Sequence, residues 1–329
     1  MGSLPSARVN RPSRAFIECG VDYAGPVRIR SAGGRGHRAH LAYIAVFICM
    51  ASRGVHLEVV TDYSTQAFLA AFQRFYSRRG LPKVMHSDCG TNFEGADGEL
   101  RRAYRDAIQS NELRVRVAEQ GVEWQFIPPA APHFGGLWEA GVRSMKRHLK
   151  RVLDPHTPTY EELATLLCRV EACLNSRPFS PLTEDIESLD VITPAHLLIG
   201  GPLNSAPAPL SVDYSINYHK RWQLYQHLLE RFWISWSRDY VTSCQHRSKW
   251  ASRTPSVKVG QIALLRNDKL PPAKWDLARV VACHPGHDGL IRVVTVRTAT
   301  STYKWPISKL ALLPIDIEES SAHVSPRPV

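Results

Sequence analysis

The strongest constraint on the fold is a change in the spacing of apolar residues near Ser64. Before it, three apolar stretches are separated by short turns, at residues 15–30, 41–51 and 55–60. Stretches of this length bounded by Gly and Ser predict β-strands, and the short connections predict antiparallel pairing. After it, apolar residues recur at helical spacing between Ser64, a candidate N-cap, and Gly80, a candidate stop. The chain therefore begins with a predicted β-meander followed by a helix.

The rest of the chain alternates short strands with helices and ends in a strand-rich segment. Short apolar stretches around residues 81–88 and 122–128 predict two further strands. Helical spacing predicts helices at residues 137–153, 159–177 and 217–240. Several short strands at residues 257–314 are typical of a small β-barrel. This order predicts an α/β fold with a mixed five-stranded sheet flanked by helices, followed by a helical extension and a small β-barrel.

These elements divide the chain into a predicted series of segments. They are a basic tail or linker at 1–14, the α/β core at 15–155, a helical extension and connector at 156–254, the small β-barrel at 255–314, and a disordered tail at 315–329. The connector is indicated by frequent Pro, Ser and Thr between Pro178 and Pro209.

Charge and cysteine content restrict the partners. The chain has 41 Lys and Arg against 30 Asp and Glu, a net charge of +11, which favours nucleic acid as a partner ahead of an acidic membrane. Seven irregularly spaced cysteines without a C-x-x-C pair argue against a disulfide framework and a zinc knuckle. We find neither a signal peptide nor an apolar stretch long enough to cross a bilayer, and therefore expect no membrane partner.

Three acidic residues stand on three different predicted elements. Asp22 interrupts an apolar strand, where Asp is disfavoured, and Asp88 stands where a strand meets a Gly-containing turn. Glu139 lies in the first predicted turn of a helix that follows Gly135 and Gly136. Three acids converging on one sheet edge would supply the oxygen ligands that Mg²⁺ prefers, and two such ions about 3.5–4 Å apart suit phosphoryl chemistry. Taken singly, each acid also has an ordinary explanation, as a hydrogen-bonded strand residue, a turn cap or a helix-start Glu.

The predicted helix that carries Glu139 also carries a run of basic residues. Glu139, Arg143 and Lys146 are spaced i, i+4 and i+7, which places them on one helix face. A phosphodiester entering an acidic metal site would meet these cations, whereas the ordinary alternative is a solvated cationic face. The candidate DNA-binding residues are Arg143, Lys146, Arg147 and Lys150. Two other acids near the third strand, Glu58 and Asp62, are interpreted as surface or helix-start residues.

The three candidate acids, Asp22, Asp88 and Glu139, lie within longer sequence motifs that follow one another along the chain. The chain contains VDYAGP, HSDCGTNFEGA, FIPPAAPHFGGLWEAGVRSMK, LNSRPF and PAHLLIGGPL. These motifs resemble the integrase of BEL/Pao-type LTR retrotransposons. The later segments KWDLARVVACHPGHDGLIRVVTVRT and KWPISKL resemble the C-terminal domain of the same elements. The resemblance covers about residues 4–314.

The resemblance implies an RNase H-like catalytic core and an SH3-like C-terminal barrel. By motif, Asp22, Asp88 and Glu139 match a catalytic triad that holds two Mg²⁺ or Mn²⁺ ions. Arg143 and Lys146 match helix positions that face the DNA end in related integrases. The implied reactions are 3′-end processing and strand transfer of element DNA into target DNA. The implied partners are both DNAs and further copies of the chain in a homo-multimer, without a small-molecule substrate. The implied location is the nucleus, with cytoplasmic assembly before entry as an option.

Departures from the family pattern leave two alternatives open. The interval 139 − 88 = 51 is longer than in retroviral integrases, which predicts an insertion around residues 95–120. Cys89 stands where Asn is expected, and the H-x-H…C-x-x-C zinc domain usually found upstream is absent from this sequence, as in a polyprotein fragment or truncated copy. One alternative is therefore a decayed or co-opted DNA-binding protein. The other, an RNase H-type nuclease, would need a carboxylate from the first helix, and residues 64–79 contain none.

Overall fold

A computed structural model describes residues 14–32, 38–88, 121–127, 132–183, 185, 187–203, 221–245, 257–267 and 270–313. The side chains of Asp88, Phe126, Ile127 and residues 132–142 lie outside this description. The chain divides into two compact units. The core unit extends to Arg177 and adds Thr193–Ser243 and Arg266–Trp275; the small unit comprises Pro178–Ile192, Cys244–Leu265 and the chain from Asp276 onward. The segment boundaries expected from the sequence stay predictions.

The core unit is built on a mixed five-stranded sheet, as the sequence predicts. Its strands are β1 (Glu18–Arg30), β2 (Ala39–Cys49), β3 (Val55–Val60), β4 (Val84–Asp88) and β5 (Glu123–Ile127). The order is β3-β2-β1-β4-β5, with β1, β2 and β3 antiparallel and β4 and β5 parallel to β1. The central strand, β1, continues through a cis Gly25–Pro26 peptide where its register with β2 shifts.

Helices cover both faces of this sheet. They are α1 (Thr65–Arg79), α2 (Pro132–Leu153), α3 (Tyr160–Asn175), the short α4 (Pro194–Ile199) and α5 (Arg221–Cys244). The predicted ends of α1 are confirmed: the Ser64 side chain accepts a hydrogen bond from the backbone N–H of Ala67, and Gly80 has a φ of +85°. No helix in the described parts of the chain is both long and apolar enough to span a membrane.

Two hydrophobic clusters hold the helices against the sheet. On one face, Val21 and Tyr23 of β1 pack with the aromatic residues of α1. On the other face, Ala24 of β1 packs with residues of α2, α3 and α5, including Leu149 and Phe232. Because side chains alternate along a strand, Asp22 lies on the face that carries α2, α3 and α5. The helices α3 and α5 thus share one hydrophobic core with the sheet.

The start of α2 differs from the sequence prediction. The helix begins at Pro132, so Gly135 and Gly136 lie inside it and Glu139 is well beyond the first turn. Proline is favoured at the first position of a helix because it has no N–H to satisfy there. Glycine inside a helix costs only about 1 kcal/mol, which the 22-residue helix tolerates. The two glycines therefore do not mark the helix start.

The interpretation of Glu58 as a surface residue is wrong. Glu58 and His56 of β3 are both buried, and His56 Nε2 lies 3.0 Å from Glu58 Oε1. On its other side, His56 Nδ1 lies 3.3 Å from Glu171 Oε2, a residue of α3 that also accepts the backbone N–H of Leu57 at 2.9 Å. The cluster is completed by guanidinium groups of α1, from Arg74, Arg78 and Arg79.

This cluster predicts that folding stability depends on the charge of His56. Burial disfavours the charged imidazole, but hydrogen bonds to Glu171 and Glu58 outweigh burial and raise the pKa of His56 above 6.5. Burial acts to raise the pKa of Glu58 and of Glu171, but their contacts with His56 outweigh burial and lower both pKa values below 4.5. A group whose pKa is raised by folding stabilises the folded state at pH values below its unfolded-state pKa, and this stabilisation is lost as the pH rises through the folded-state pKa. A carboxyl whose pKa is lowered by folding stabilises the folded state above its unfolded-state pKa, and this stabilisation is lost as the pH falls through the folded-state pKa.

We therefore expect His56→Gln to destabilise the protein more at about pH 5.5 than at about pH 8.5, because only the imidazolium is held by both acids. Urea unfolding at the two pH values measures the difference between wild type and variant. His40→Gln, at an exposed histidine, serves as the control. An equal loss of stability at both pH values would contradict the prediction.

The small unit contains a second five-stranded sheet. Its strands are β8 (Ile262–Leu265), β9 (Asp276–Pro285), β10 (Ile291–Thr298), β11 (Thr302–Pro306) and β12 (Leu310–Leu312), with a 3-10 turn at Ile307–Lys309. The order is β11-β10-β9-β8-β12, and all pairs are antiparallel. The predicted run of short strands is present, whereas SH3-like barrel closure stays a prediction.

A short hairpin from the middle of the chain belongs to the small unit. It is formed by β6 (Ser180–Pro181) and β7 (Val191–Ile192). The buried Arg279 of β9 donates hydrogen bonds to the backbone carbonyls of Asp185 at 2.9 Å and Ser188 at 2.6 Å. These contacts satisfy carbonyls of the hairpin loop and fix it to the sheet.

Candidate active site

Asp22 lies on the central strand with its carboxylate partly accessible. Its side chain is 33% exposed, and Oδ1 accepts a hydrogen bond from the backbone N–H of Tyr23 at 2.7 Å. The other oxygen, Oδ2, accepts one from Lys146 Nζ of α2 at 2.5 Å. The carboxylate is thus oriented by the strand on one side and neutralised by a helix cation on the other.

Asp88 is placed beside Asp22 by the parallel pairing of β1 and β4. The register pairs Gly20 with His86 and Val21 with Ser87, so the next position of β1, Asp22, falls level with Asp88. Neighbouring strands lie about 4.8 Å apart, and side chains at matching positions of adjacent strands share a face. The Asp88 side chain lies outside the described residues. The backbone nevertheless places the two aspartates in adjacent positions on one face, where β4 ends.

Glu139 occupies the same helix as Lys146, two turns earlier. Seven residues of helix correspond to about 10.5 Å along its axis, and the i, i+7 spacing keeps both residues on one face. Because Lys146 contacts Asp22, that face of α2 is the one turned to Asp22 at this level. The side chain of Glu139 lies outside the described residues. Among the side chains that are described, no group of three His, Cys, Asp or Glu residues forms a metal cluster.

The basic residues of α2 differ in their surroundings. Arg143 and Lys150 are exposed, whereas Lys146 is half-buried against Asp22. Arg147 forms an ion pair with Asp239 of α5, and the buried His148 places Nε2 2.7 Å from the same carboxylate. Burial acts to raise the pKa of Asp239, but the hydrogen bond from His148 and the charge of Arg147 lower it overall. Arg147 therefore helps to hold α5 against α2.

His86 was not identified as a candidate from the sequence. It stands two residues before Asp88, and its pairing with Gly20 puts it on the face that carries Asp22. Its Nε2 atom is buried without a hydrogen-bond partner among the described residues, and burial lowers the pKa of the imidazole. The H-x-D spacing within one strand could have indicated this residue, because alternate strand residues share a face.

The donor set at this edge of the sheet suits a hard divalent cation. The backbone register puts Asp22 and Asp88 at level positions of adjacent strands, and carboxylate oxygens are the ligands that Mg²⁺ and Mn²⁺ favour. Oδ2 of Asp22 already binds one cation, the ammonium of Lys146. Cys89 and the predicted insertion at residues 95–120 lie outside the described residues.

Comparisons with known proteins match parts of the chain. Residues 220–313 match a family model described as a family of unknown function (DUF5641). No curated protein matches the sequence. The chain is similar to a chain of the simian T-cell lymphotropic virus intasome in complex with PP2A regulatory subunit B56 gamma. The identity is 12%, with 96% of this chain and 85% of that chain covered, and a TM-score of 0.40.

Two solved integrase catalytic cores are also similar. The BIV core is 13% identical, covering 56% of this chain and 95% of that chain, with a TM-score of 0.36. The HTLV-2 core in complex with magnesium is 17% identical, covering 50% and 90%, with a TM-score of 0.33.

Proposed function

We propose that the chain is a retrotransposon integrase of the BEL/Pao type, a metal-dependent polynucleotidyl transferase that processes element DNA ends and joins them to target DNA. The observation that carries the proposal is the placement of Asp22 level with Asp88 on adjacent parallel strands, with Lys146 of α2 bound to Asp22. The sheet order, with β1 central, supports the RNase H-like core that the sequence motifs imply. A DDE-type site also accounts for Glu139 on the same helix face as Lys146.

In this proposal Asp22, Asp88 and Glu139 hold two Mg²⁺ or Mn²⁺ ions. Bound there, such ions would supply Lewis acidity for an in-line displacement at phosphorus. The protein supplies position: Asp22 is fixed by the Tyr23 N–H on a central strand. Lys146 adds positive charge where the phosphodiester enters. In end processing water attacks the phosphorus of a phosphodiester near the element end, and the 3′-oxygen of the retained strand leaves as the terminal nucleotides are released. In strand transfer that 3′-OH attacks a target phosphodiester and the 3′-oxygen of the target strand leaves, so no covalent enzyme intermediate forms.

The proposed partners follow from this reaction. Element ends and target DNA are both polyanions, which agrees with the net charge of +11. Joining two ends requires at least two catalytic sites, so we propose a homo-multimer that acts on DNA in the nucleus. The proposed DNA-binding residues include Arg143, Lys146, Arg147 and Lys150, of which Arg143, Arg147 and Lys150 are exposed.

A strand-transfer assay tests the proposal. The purified chain is incubated with Mg²⁺ or Mn²⁺, labelled duplexes that carry the element's terminal-repeat ends, and a target plasmid. We expect joined product from the wild type and at least about 10²-fold less from Asp88→Asn, because an amide replaces a charged ligand. Asp190→Asn, at an exposed carboxylate of the small unit, is expected to leave the product unchanged.

Binding without product would favour the alternative function. A protein that retains the basic surface but not the catalysis would bind DNA with a steep salt dependence and join nothing. If supplying a separate integrase zinc domain in trans also yields no product, the integrase proposal is wrong for this chain and a DNA-binding role stands. Strand cleavage of an RNA–DNA hybrid would instead indicate the nuclease alternative.

A further inference from the structure

Asp239 lies on a firmly packed part of α5. This helix belongs to residues 220–313, which match the family of unknown function and contain none of the proposed metal ligands. Phe232 and Trp236 are buried in the cluster that α5 shares with the sheet. Asp239 follows Trp236 within one helical turn and precedes Tyr240, and the rings of those two aromatic residues stack with centroids 5.6 Å apart. Packing therefore holds Asp239 in a defined place.

Three side chains of α2 meet at one oxygen of Asp239. Its Oδ2 atom accepts a hydrogen bond from His148 Nε2 at 2.7 Å, a second from the guanidinium of Arg147, and a longer one from Ser144 Oγ at 3.4 Å. The side chain of His148 is only 5% exposed, so water does not readily replace Asp239 as its partner. Hydrogen bonds to a carboxylate are strong and depend on angle, whereas apolar contacts are not directional. Asp239 therefore restricts how α2 can turn about its axis.

The contacts with Asp239 and the proposed active site lie on different sides of α2. At about 100° per residue, the three residues that contact Asp239 are turned roughly 100–160° around the helix axis from Lys146. Lys146 is the residue that contacts Asp22, and Glu139 lies two turns earlier on the Lys146 face. A group that fixes one side of a helix also fixes the direction of the other side, because both belong to one hydrogen-bonded backbone.

A small rotation of α2 would have a large effect on the proposed site. Side chains reach about 5–6 Å from the axis of a helix, so a rotation of about 10° moves their ends by about 1 Å. A misplacement of about 1 Å can lower the rate of an enzyme about 10²-fold. Apolar contacts of Met145 and Leu149 also hold α2 on the sheet, but they resist such a rotation less than directional bonds do.

We propose that Asp239 is a positioning residue for the proposed active site, because its contacts with the far side of α2 fix the approach of Glu139 and Lys146 to Asp22 and Asp88. The proposal rests on the proposed function. It gives the segment that matches the family of unknown function a part in the reaction, through α5. Asp239 itself touches neither DNA nor metal in this proposal.

Methionine methyl groups report the position of α2 without DNA or metal. The chain has four methionines, Met1, Met50, Met85 and Met145, and of these only Met145 lies on α2. In ¹³C-methyl spectra of the purified chain, we expect Asp239→Ala to move the Met145 signal and to leave the Met50 and Met85 signals in place. Asp239→Asn keeps an oxygen acceptor and is expected to restore the wild-type signal. An unchanged Met145 signal in Asp239→Ala would show that apolar packing alone fixes α2, and would overturn the proposal.

A second variant covers the case in which Asp239→Ala does not fold. Arg147→Met removes one donor and leaves His148 paired with Asp239. It is expected to move the Met145 signal in the same direction. An unchanged signal in this variant counts equally against the proposal.

Strand-transfer kinetics test whether the position of α2 matters to the reaction. Per folded molecule, we expect Asp239→Ala to lower kcat about 10²-fold and to leave KM for target DNA unchanged, because it removes no contact with DNA. Asp239→Asn is expected to recover most of this loss. Glu161→Ala, at an exposed carboxylate in the first turn of α3, is the matched control and is expected to keep both constants. A raised KM with an unchanged kcat would contradict a positioning role.

The two proposals fail in different ways. If the wild type joins DNA and Asp239→Ala joins it equally fast, the proposed function stands and the positioning role is wrong. If the wild type joins no DNA, the proposed function is wrong and the catalytic part of this proposal falls with it. The Met145 signal then still decides whether Asp239 fixes α2.

Discussion

Replacing Asp22 by Asn is expected to reduce metal-dependent DNA strand transfer by at least about 10²-fold while the protein stays folded. Removing one group that stabilises transition-state charge typically has an effect of this size. The amide keeps the shape of the carboxylate, so the Tyr23 N–H retains an acceptor. The ion pair with Lys146 is lost, but its two side chains are partly exposed, and such pairs contribute no more than about 1 kcal/mol to stability.

The measurement combines joined product with thermal unfolding of the same preparations. Asp62→Asn is the matched control, because Asp62 is exposed after β3 and accepts a hydrogen bond from the Ser64 N–H. We expect its product yield to stay near that of the wild type. If Asp22→Asn retains product, Asp22 is not a metal ligand and the proposed site is wrong. If Asp22→Asn unfolds instead, the residue has a structural role that the site proposal does not include.

Local patterns predicted much of the sheet and one helix. The spacing of apolar residues indicated the β-meander and α1. That helix begins after Ser64 and ends before Gly80, as expected. Such signals succeed because helix ends and strand alternation depend on neighbouring residues. Local pattern placed Asp22 within a strand and Asp88 at a strand end, and their convergence on one sheet edge was a hypothesis; the register of β1 and β4 puts their backbones at level positions.

Contacts between residues that are far apart in the sequence could not be predicted from local sequence patterns. Glu58 is charged, as surface residues usually are, and it becomes a buried partner of His56 and Arg74 only because α1 and α3 pack against β3. The contact between Lys146 and Asp22 joins residues 124 positions apart. Gly135 and Gly136 suggested a loop because glycine weakens helices, yet the helix includes them. In each case tertiary packing outweighed a local preference.

The packing of α5 against the sheet leads to the second large effect. Phe232 is fully buried in the cluster shared by β1, β2, β3, α2 and α3, and its ring stacks on Trp236 with centroids 6.2 Å apart. Replacing a buried Phe by Ala removes apolar contacts and leaves a cavity, at a cost of about 3–5 kcal/mol. Because domains are stable by only about 5–15 kcal/mol, Phe232→Ala is expected to remove a large share of the core unit's stability.

Trp222→Ala is the control that distinguishes the effect of losing a buried side chain from the effect of changing any residue of α5. Trp222 lies on the same helix but is 62% exposed, so its truncation is expected to change stability by less than about 0.5 kcal/mol. Urea unfolding followed by far-ultraviolet circular dichroism measures both variants. If α5 were an extension independent of the sheet, Phe232→Ala would melt only that helix and leave the main transition in place. A single transition shifted to lower urea shows instead that α5 and the sheet that carries Asp22 unfold as one cooperative unit.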